Sequence, residues 1–134
     1  MENNTASLKL ASVIARVLDD NLAKDIVILD ISNISVLGDY FVIASADSPN
    51  QVRALTNYVR ENIKKNMNIN VSKDESDKKN RWNLLDYGDV IVHILHNEER
   101  ELYALEKFWN HALKIDREVW LENSKEFSKF NNNN

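Results

Sequence analysis

The stretch Trp82 to Leu113, WNLLDYGDVIVHILHNEERELYALEKFWNHAL, decides the fold. WNLLD is a short extended run ending in a carboxylate, and Tyr87-Gly88 is turn material because glycine tolerates positive φ. Val90 to Leu95, VIVHIL, is a nearly unbroken run of β-branched and aliphatic residues, the pattern of a strand covered on both faces. A helix is expected to follow at once. Its buried stripe would carry Leu102, Leu105, Trp109, Ala112 and Leu113.

Upstream, DIVILDI at Asp25 to Ile31 reads as a strand whose interior charge, Asp30, must sit at a strand end or find a donor, because an unpaired buried carboxylate is costly. SVLGDYFVIASADSPNQV then supplies a Gly38-Asp39 turn, a strand over Tyr40 to Ala46 and a helix start. Ser48 is a good N-cap with Gln51 three residues on, and Pro49 stands at the first helical position, where the missing N–H costs nothing. Val52, Leu55, Val59 and Ile63 mark that helix's buried stripe, and Leu8, Ala11, Ile14, Ala15, Leu18 and Leu22 mark that of an N-terminal helix capped by Ser7. From Lys64 to Arg81 the periodicity breaks into a charged, solvated loop, with a short strand expected around Ile69 to Val71. These elements predict an α/β (mixed α+β) fold, one domain over residues 1–115 with helices flanking a mixed sheet. Residues 116–134 form a C-terminal extension, partly helical or disordered, in which Val119, Trp120, Phe127 and Phe130 dress a short docked helix before a low-complexity Asn run.

Composition narrows the function classes. A chain of 134 residues is one ordinary domain, able to bury roughly two-thirds of its unfolded surface. The absence of cysteine excludes disulfides and cysteine-zinc sites. A net charge of −4 and pI near 5.4 argue against a broad footprint for nucleic acid or anionic membrane. No run approaches the roughly 20 apolar residues of a membrane span, and the N-terminus resembles neither a signal nor a transit peptide. A cytoplasmic protein is expected.

The residues that bear chemistry are Asp86, Asp89, His93, His96 and His111. On a strand from Val90 to Leu95, His93 shares a face with Ile91 and Leu95, whereas His96 lies just beyond the strand and points elsewhere. The histidines therefore do not converge, and Asp86 or Asp89 with His93 lacks a recognised metal-ligand spacing, so no metal is assigned. Asp86 and Asp89 flank a glycine turn and could hold Mg²⁺ for nucleotidyl transfer. Only Gly38 and Gly88 are present, too few for a glycine-rich phosphate cradle, so no cofactor is assigned. A partner surface accounts for more residues: Trp82, Tyr87, Tyr103 and Trp109 are large rings near carboxylates, suited to a basic partner.

The chain resembles the ribosomal silencing factors, or Iojap-like proteins. The resemblance rests on DIVILDIS, DYFVIASADSPNQV and WNLLDYGDVIVHIL, then Arg100 with YALEKFW at Tyr103 to Trp109, and covers about Leu8 to Leu113. The tail beyond Leu113 exceeds the expected family core. The resemblance implies a mixed sheet of about five strands, related in architecture to nucleotidyltransferases but without catalysis. It implies binding to the large ribosomal subunit through its fourteenth protein, steric exclusion of the small subunit, and damped translation when nutrients are short. The matching positions Trp82, Asp86, Tyr87, Asp89, His93 and Tyr103 form the partner-facing set, with Asp39, Arg100 and Glu106 supporting. The enzyme alternative departs from the nucleotidyltransferase pattern, since Gly38 precedes Asp39 and Asp86 and Asp89 stand three apart. Independent nucleic-acid binding would need a basic face that the composition does not show. Self-association as a homodimer through the apolar face of a terminal helix stays open.

Overall fold

A computed structural model describes residues 2–108 and 110–128; the side chains of Glu2, Asn3, Asn4, Glu106 and Phe108 lie outside the description. A long helix α1 (Glu2–Asp20) leads into the hairpin β1 (Lys24–Asp30) and β2 (Tyr40–Ala46). Helix α2 (Pro49–Met67) then carries the chain over the sheet to β3 (Lys73–Glu75), β4 (Trp82–Asp86) and β5 (Val90–His96). Two short helices, α3 (Asn97–Tyr103) and α4 (Leu105–Phe108), precede β6 (Leu113–Ile115) and α5 (Arg117–Asn123), with a 3₁₀ turn over Lys125–Phe127. The sheet has six strands in the order β3-β4-β5-β2-β1-β6. Only β2 and β5 run parallel; every other neighbouring pair is antiparallel.

The two central strands are buried along their length, apart from His96, which explains their β-branched and aliphatic sequences. Alternation then sends their side chains into two apolar layers. Val42, Ala44, Val90, Val92 and Ile94 meet α1 and α2 through Ile14, Leu18, Val52, Leu55, Val59 and Ile63. On the opposite face Leu29, Ile31, Phe41, Ile43, Ile91 and Leu95 form a smaller cluster, overlain in part by Trp82, Leu84, Leu105 and Ala112. Each fully buried aliphatic side chain contributes about 1.5–3 kcal/mol. Among the described residues no long helix lies over the second layer. It is crossed by the segment from α3 to β6, which leaves β5 near the middle of the sheet and joins the far edge beside β1.

Several local expectations hold. The Ser48 hydroxyl accepts the Gln51 N–H at 3.1 Å, while the Gln51 side chain turns back to accept the Asp47 N–H at 3.2 Å, one residue earlier than an ideal capping box requires. Asp30 ends β1, and its carboxylate accepts from the Ser32 N–H at 3.0 Å and hydroxyl at 2.6 Å. Other expectations are corrected. The sheet has six strands where about five were expected, the added strand being β6 at the end of the expected helix. The early strand lies at Lys73–Glu75 and not at Ile69 to Val71. Helix α1 begins at Glu2, so Ser7 is not its cap; the Ser7 hydroxyl instead donates to Asp39 at 2.8 Å.

The expected helix after β5 is broken at Ala104, which adopts the left-handed conformation at φ 45°. Its proposed stripe is thereby dispersed: Leu105 and Ala112 pack on the second layer, Leu102 and Leu113 are exposed, and Trp109 lies outside the described residues. The segment after residue 115 is no appendage. Trp120 is fully packed in the larger core cluster, with the Arg117 guanidinium 4.9 Å from its ring centre, and Phe127 packs against the same cluster. Arg16 of α1 donates to Ser124 Oγ and the Leu121 carbonyl at 2.8 and 2.7 Å. Val119 is exposed, and Phe130 and the Asn run lie outside the described residues.

Candidate functional site

The structure distributes the residues expected to face a partner over two neighbourhoods joined by β4. The first is the sheet end where β2 and β5 begin and β1 and β4 finish. The Asp89 carbonyl accepts the N–H groups of both Asp39 and Tyr40, at 2.8 and 3.1 Å, which sews the β1–β2 turn to the β4–β5 turn. Gly38 eases this approach, since a Cβ there would stand 3.1 Å from the Asp89 carbonyl oxygen and 3.3 Å from that of Gly88, a tight fit against backbone. Gly88 itself has φ 91°, and its N–H is capped by the Asp86 carboxylate at 2.7 Å.

Four carboxylates thus gather at one end: Asp30, Asp39, Asp86 and Asp89. None of them pairs with a lysine, arginine or histidine among the described residues. Tyr40 reports their field, because burial and the charges of Asp30 and Asp39 raise its pKa. Tyr87 stands at the same end but faces the other way. It is buried in the larger core cluster, and burial pushes its hydroxyl up to about 12. Its hydroxyl has no hydrogen-bond partner among the described residues.

The second neighbourhood is aromatic. Trp82 Nε1 donates to His93 Nδ1 at 3.2 Å, Phe41 meets the His93 ring edge-on at 4.7 Å, and Tyr103 lies 5.0 Å from Trp82 between ring centres. An indole N–H can only donate, so His93 Nδ1 is the unprotonated nitrogen and the ring proton sits on Nε2. That N–H is buried without a partner among the described residues. Burial lowers the His93 pKa to about 4, which keeps the ring neutral. His93 shares its face with Ile91 and Leu95, and His96 points away, its Nε2 3.0 Å from the Asp47 carbonyl. Trp82, Leu84 and Asp86 alternate along one face of β4, each half-buried, and link the aromatic cluster to the acidic end.

Of the supporting residues, Arg100 is buried in α3, Glu106 belongs to α4 with its side chain outside the description, and Asp39 lies at the acidic end. His111 is exposed in the turn before β6. One cluster escaped the sequence reading. His96, Glu98 and Glu99 bring ligand-type atoms within 4.8 Å of one another, and Arg81 binds both carboxylates, at 2.7 Å to each, supplying the positive charge there. Its only sequence signal is the pair of acidic residues in the first turn of a helix. No helix among the described residues is long and apolar enough to cross a membrane.

Residues 4–134 match the protein family described as "Ribosomal silencing factor during starvation". This chain belongs to the ribosomal silencing factor family. The match includes the tail beyond Leu113, which is therefore not foreign to the family. A Bacillus subtilis relative named ribosomal silencing factor RsfS is 41% identical over 114 residues, spanning 85% of this chain and 93% of its own. A mouse relative named "Mitochondrial assembly of ribosomal large subunit protein 1" is 32% identical over 89 residues, 65% of this chain and 39% of that one. A crystal structure of a Chromobacterium violaceum protein superposes with a TM-score of 0.72 at 32% identity, covering 75% of this chain and 83% of that one. The family is named for silencing of the ribosome during starvation.

Proposed function

We propose that this silencing factor acts in the cytoplasm by binding the large ribosomal subunit at its fourteenth protein, where it excludes the small subunit and represses translation under nutrient limitation. The observation that carries the reading is the acidic sheet end, where Asp30, Asp39, Asp86 and Asp89 stand without cationic partners among the described residues. A protein that sits in ribosomal RNA needs a basic surface to neutralise phosphate, and an uncompensated acidic patch complements it. The name of the mouse relative, which refers to the large subunit, supports the choice of subunit.

Asp39, Asp86 and Asp89 supply charge, Trp82 and Tyr103 supply contact area continuous with it along β4, and His93 and Tyr87 hold the surface from within. No bond has to be made or broken. Two bodies cannot occupy one surface, so affinity and local concentration decide the extent of silencing. The test is a subunit-joining assay, in which purified large and small subunits are mixed with and without the protein and resolved by sedimentation. Fewer joined particles in its presence are expected; unchanged joining sinks the reading.

A further inference from the structure

We propose that the loop Ser32–Leu37 is the apolar anchor of this docking surface and that it fits a recess on a basic protein. The inference rests on the docking reading above and deepens it. Ile34, Val36 and Leu37 are all exposed, Val36 completely, although each would be expected to seek burial. The loop is held in shape by its own hydrogen bonds. The Ile31 carbonyl accepts the N–H groups of Ile34 and Ser35 at 3.1 and 3.0 Å, the Ser35 hydroxyl accepts that of Leu37 at 3.0 Å, and Asp30 fixes Ser32. A fixed loop presenting three apolar side chains to water is an interaction feature, because its contact area is already paid for in conformational entropy.

Charge identifies the occupant. The loop joins β1 to β2 and so projects from the acidic end, beside Asp30, Asp39 and Asp89, and the exposed Leu113 pairs with Asp30 in register. A second copy docked through the same surface would set carboxylates against carboxylates, and a phosphate-rich nucleic acid or anionic membrane would meet the same repulsion. A protein surface with an apolar recess rimmed by lysine and arginine satisfies both the loop and its rim. In such an interface the buried apolar centre governs dissociation, and the charged rim governs association and its salt dependence.

The test uses the full chain and isolated large ribosomal subunits, with Val36→Ser and Ile34→Ser/Val36→Ser measured well below the unfolding midpoint. Both variants should fold as the parent does and bind about tenfold more weakly or worse, through faster dissociation, while Val36→Leu retains binding. Equal binding by parent and serine variants overturns the anchor and leaves the docking reading intact. A loss confined to the association rate also overturns it, assigning recognition to the charges alone. Concentration-dependent dimerisation of the parent that the serine variants abolish would make the occupant a second copy and overturn it too. A parent that does not bind large subunits overturns both the docking reading and the anchor.

Discussion

Trp82 Nε1 donates its proton to His93 Nδ1 across 3.2 Å, and this single bond fixes the tautomer of a histidine buried on the face of the sheet that carries Phe41, Ile91 and Leu95. The indole is thereby oriented as well, with one edge tied to β5 and its ring in contact with Tyr103. Trp82 is consequently both support and surface. Trp82→Phe keeps most of the ring and loses the bond, leaving His93 Nδ1 unsatisfied, so a loss of about 1–3 kcal/mol of stability is expected in urea denaturation.

The buried His93 also sets a pH dependence. Its pKa is about 4 in the folded protein and near 6.5 in an unfolded chain. Between those values the unfolded chain binds more protons, so stability falls as pH drops and the loss levels off below the folded pKa. The effect is on the order of 3 kcal/mol across the window. His93→Gln should flatten that slope in urea melts taken across the range; an unchanged slope would assign it to other groups.

Asp89 contributes its carbonyl to the joint between turns and leaves its carboxylate exposed. Asp89→Lys should therefore shift stability by less than about 0.5 kcal/mol. Binding to large subunits should weaken markedly and lose part of its sensitivity to salt. A charge-reversed variant that co-sediments like the parent would remove Asp89 from the interface.

Gly38→Ala places a methyl group 3.1 Å from the Asp89 carbonyl oxygen, which is backbone and cannot rotate away. The two turns must part, at a cost of about 1–3 kcal/mol. Because the same movement separates Asp39 from Asp89, subunit binding should weaken along with thermal stability.

Trp120→Ala should cost about 3–5 kcal/mol, as expected for a large ring removed from a packed core. Truncation after Ile115 should be at least as damaging, since it strips α1 of Trp120 and of the Arg16 contacts to Leu121 and Ser124. A truncated chain that melts like the parent would return residues 116–134 to the status of a separable extension.

The elements that could be read from sequence are those whose burial repeats with a regular period. Val52, Leu55, Val59 and Ile63 spell a helix face, VIVHIL spells a doubly covered strand, and Ser48 with Pro49 marks a helix start that the structure reproduces. The elements that escaped have no period to display. Strand β3 is KDE, exposed at every position, and exists through its pairing with β4. Strand β6 is three residues long and is specified by its register with β1, which pairs Ile28 with Ile115 and Asp30 with Leu113 across most of the chain. The helix break at Ala104 is equally silent, because alanine in the left-handed conformation carries none of the signal of glycine or asparagine.

The candidate site was legible as a list and not as an arrangement. Asp86, Tyr87 and Asp89 are near neighbours in sequence, yet the pleat sends Tyr87 into the core while Asp86 caps the turn and Asp89 meets water. Conversely, Asp30 and Asp39 join Asp89 only because β1, β2 and β5 are adjacent, which no local pattern states. The sequence reading assigns no role to Ile34, Val36 and Leu37, because their exposure follows from tertiary placement alone.

The two outermost strands, β3 and β6, have three residues each, and both flank strands of five or more. Short edge strands are one way a sheet limits strand addition, and on β3 the outward backbone groups lie among Lys73, Asp74 and Glu75. The sheet therefore offers little to an extended tail seeking to add a strand. Near a ribosome, where unfolded nascent segments and flexible tails of other proteins are abundant, this blunted perimeter restricts the protein to partners recognised through side chains.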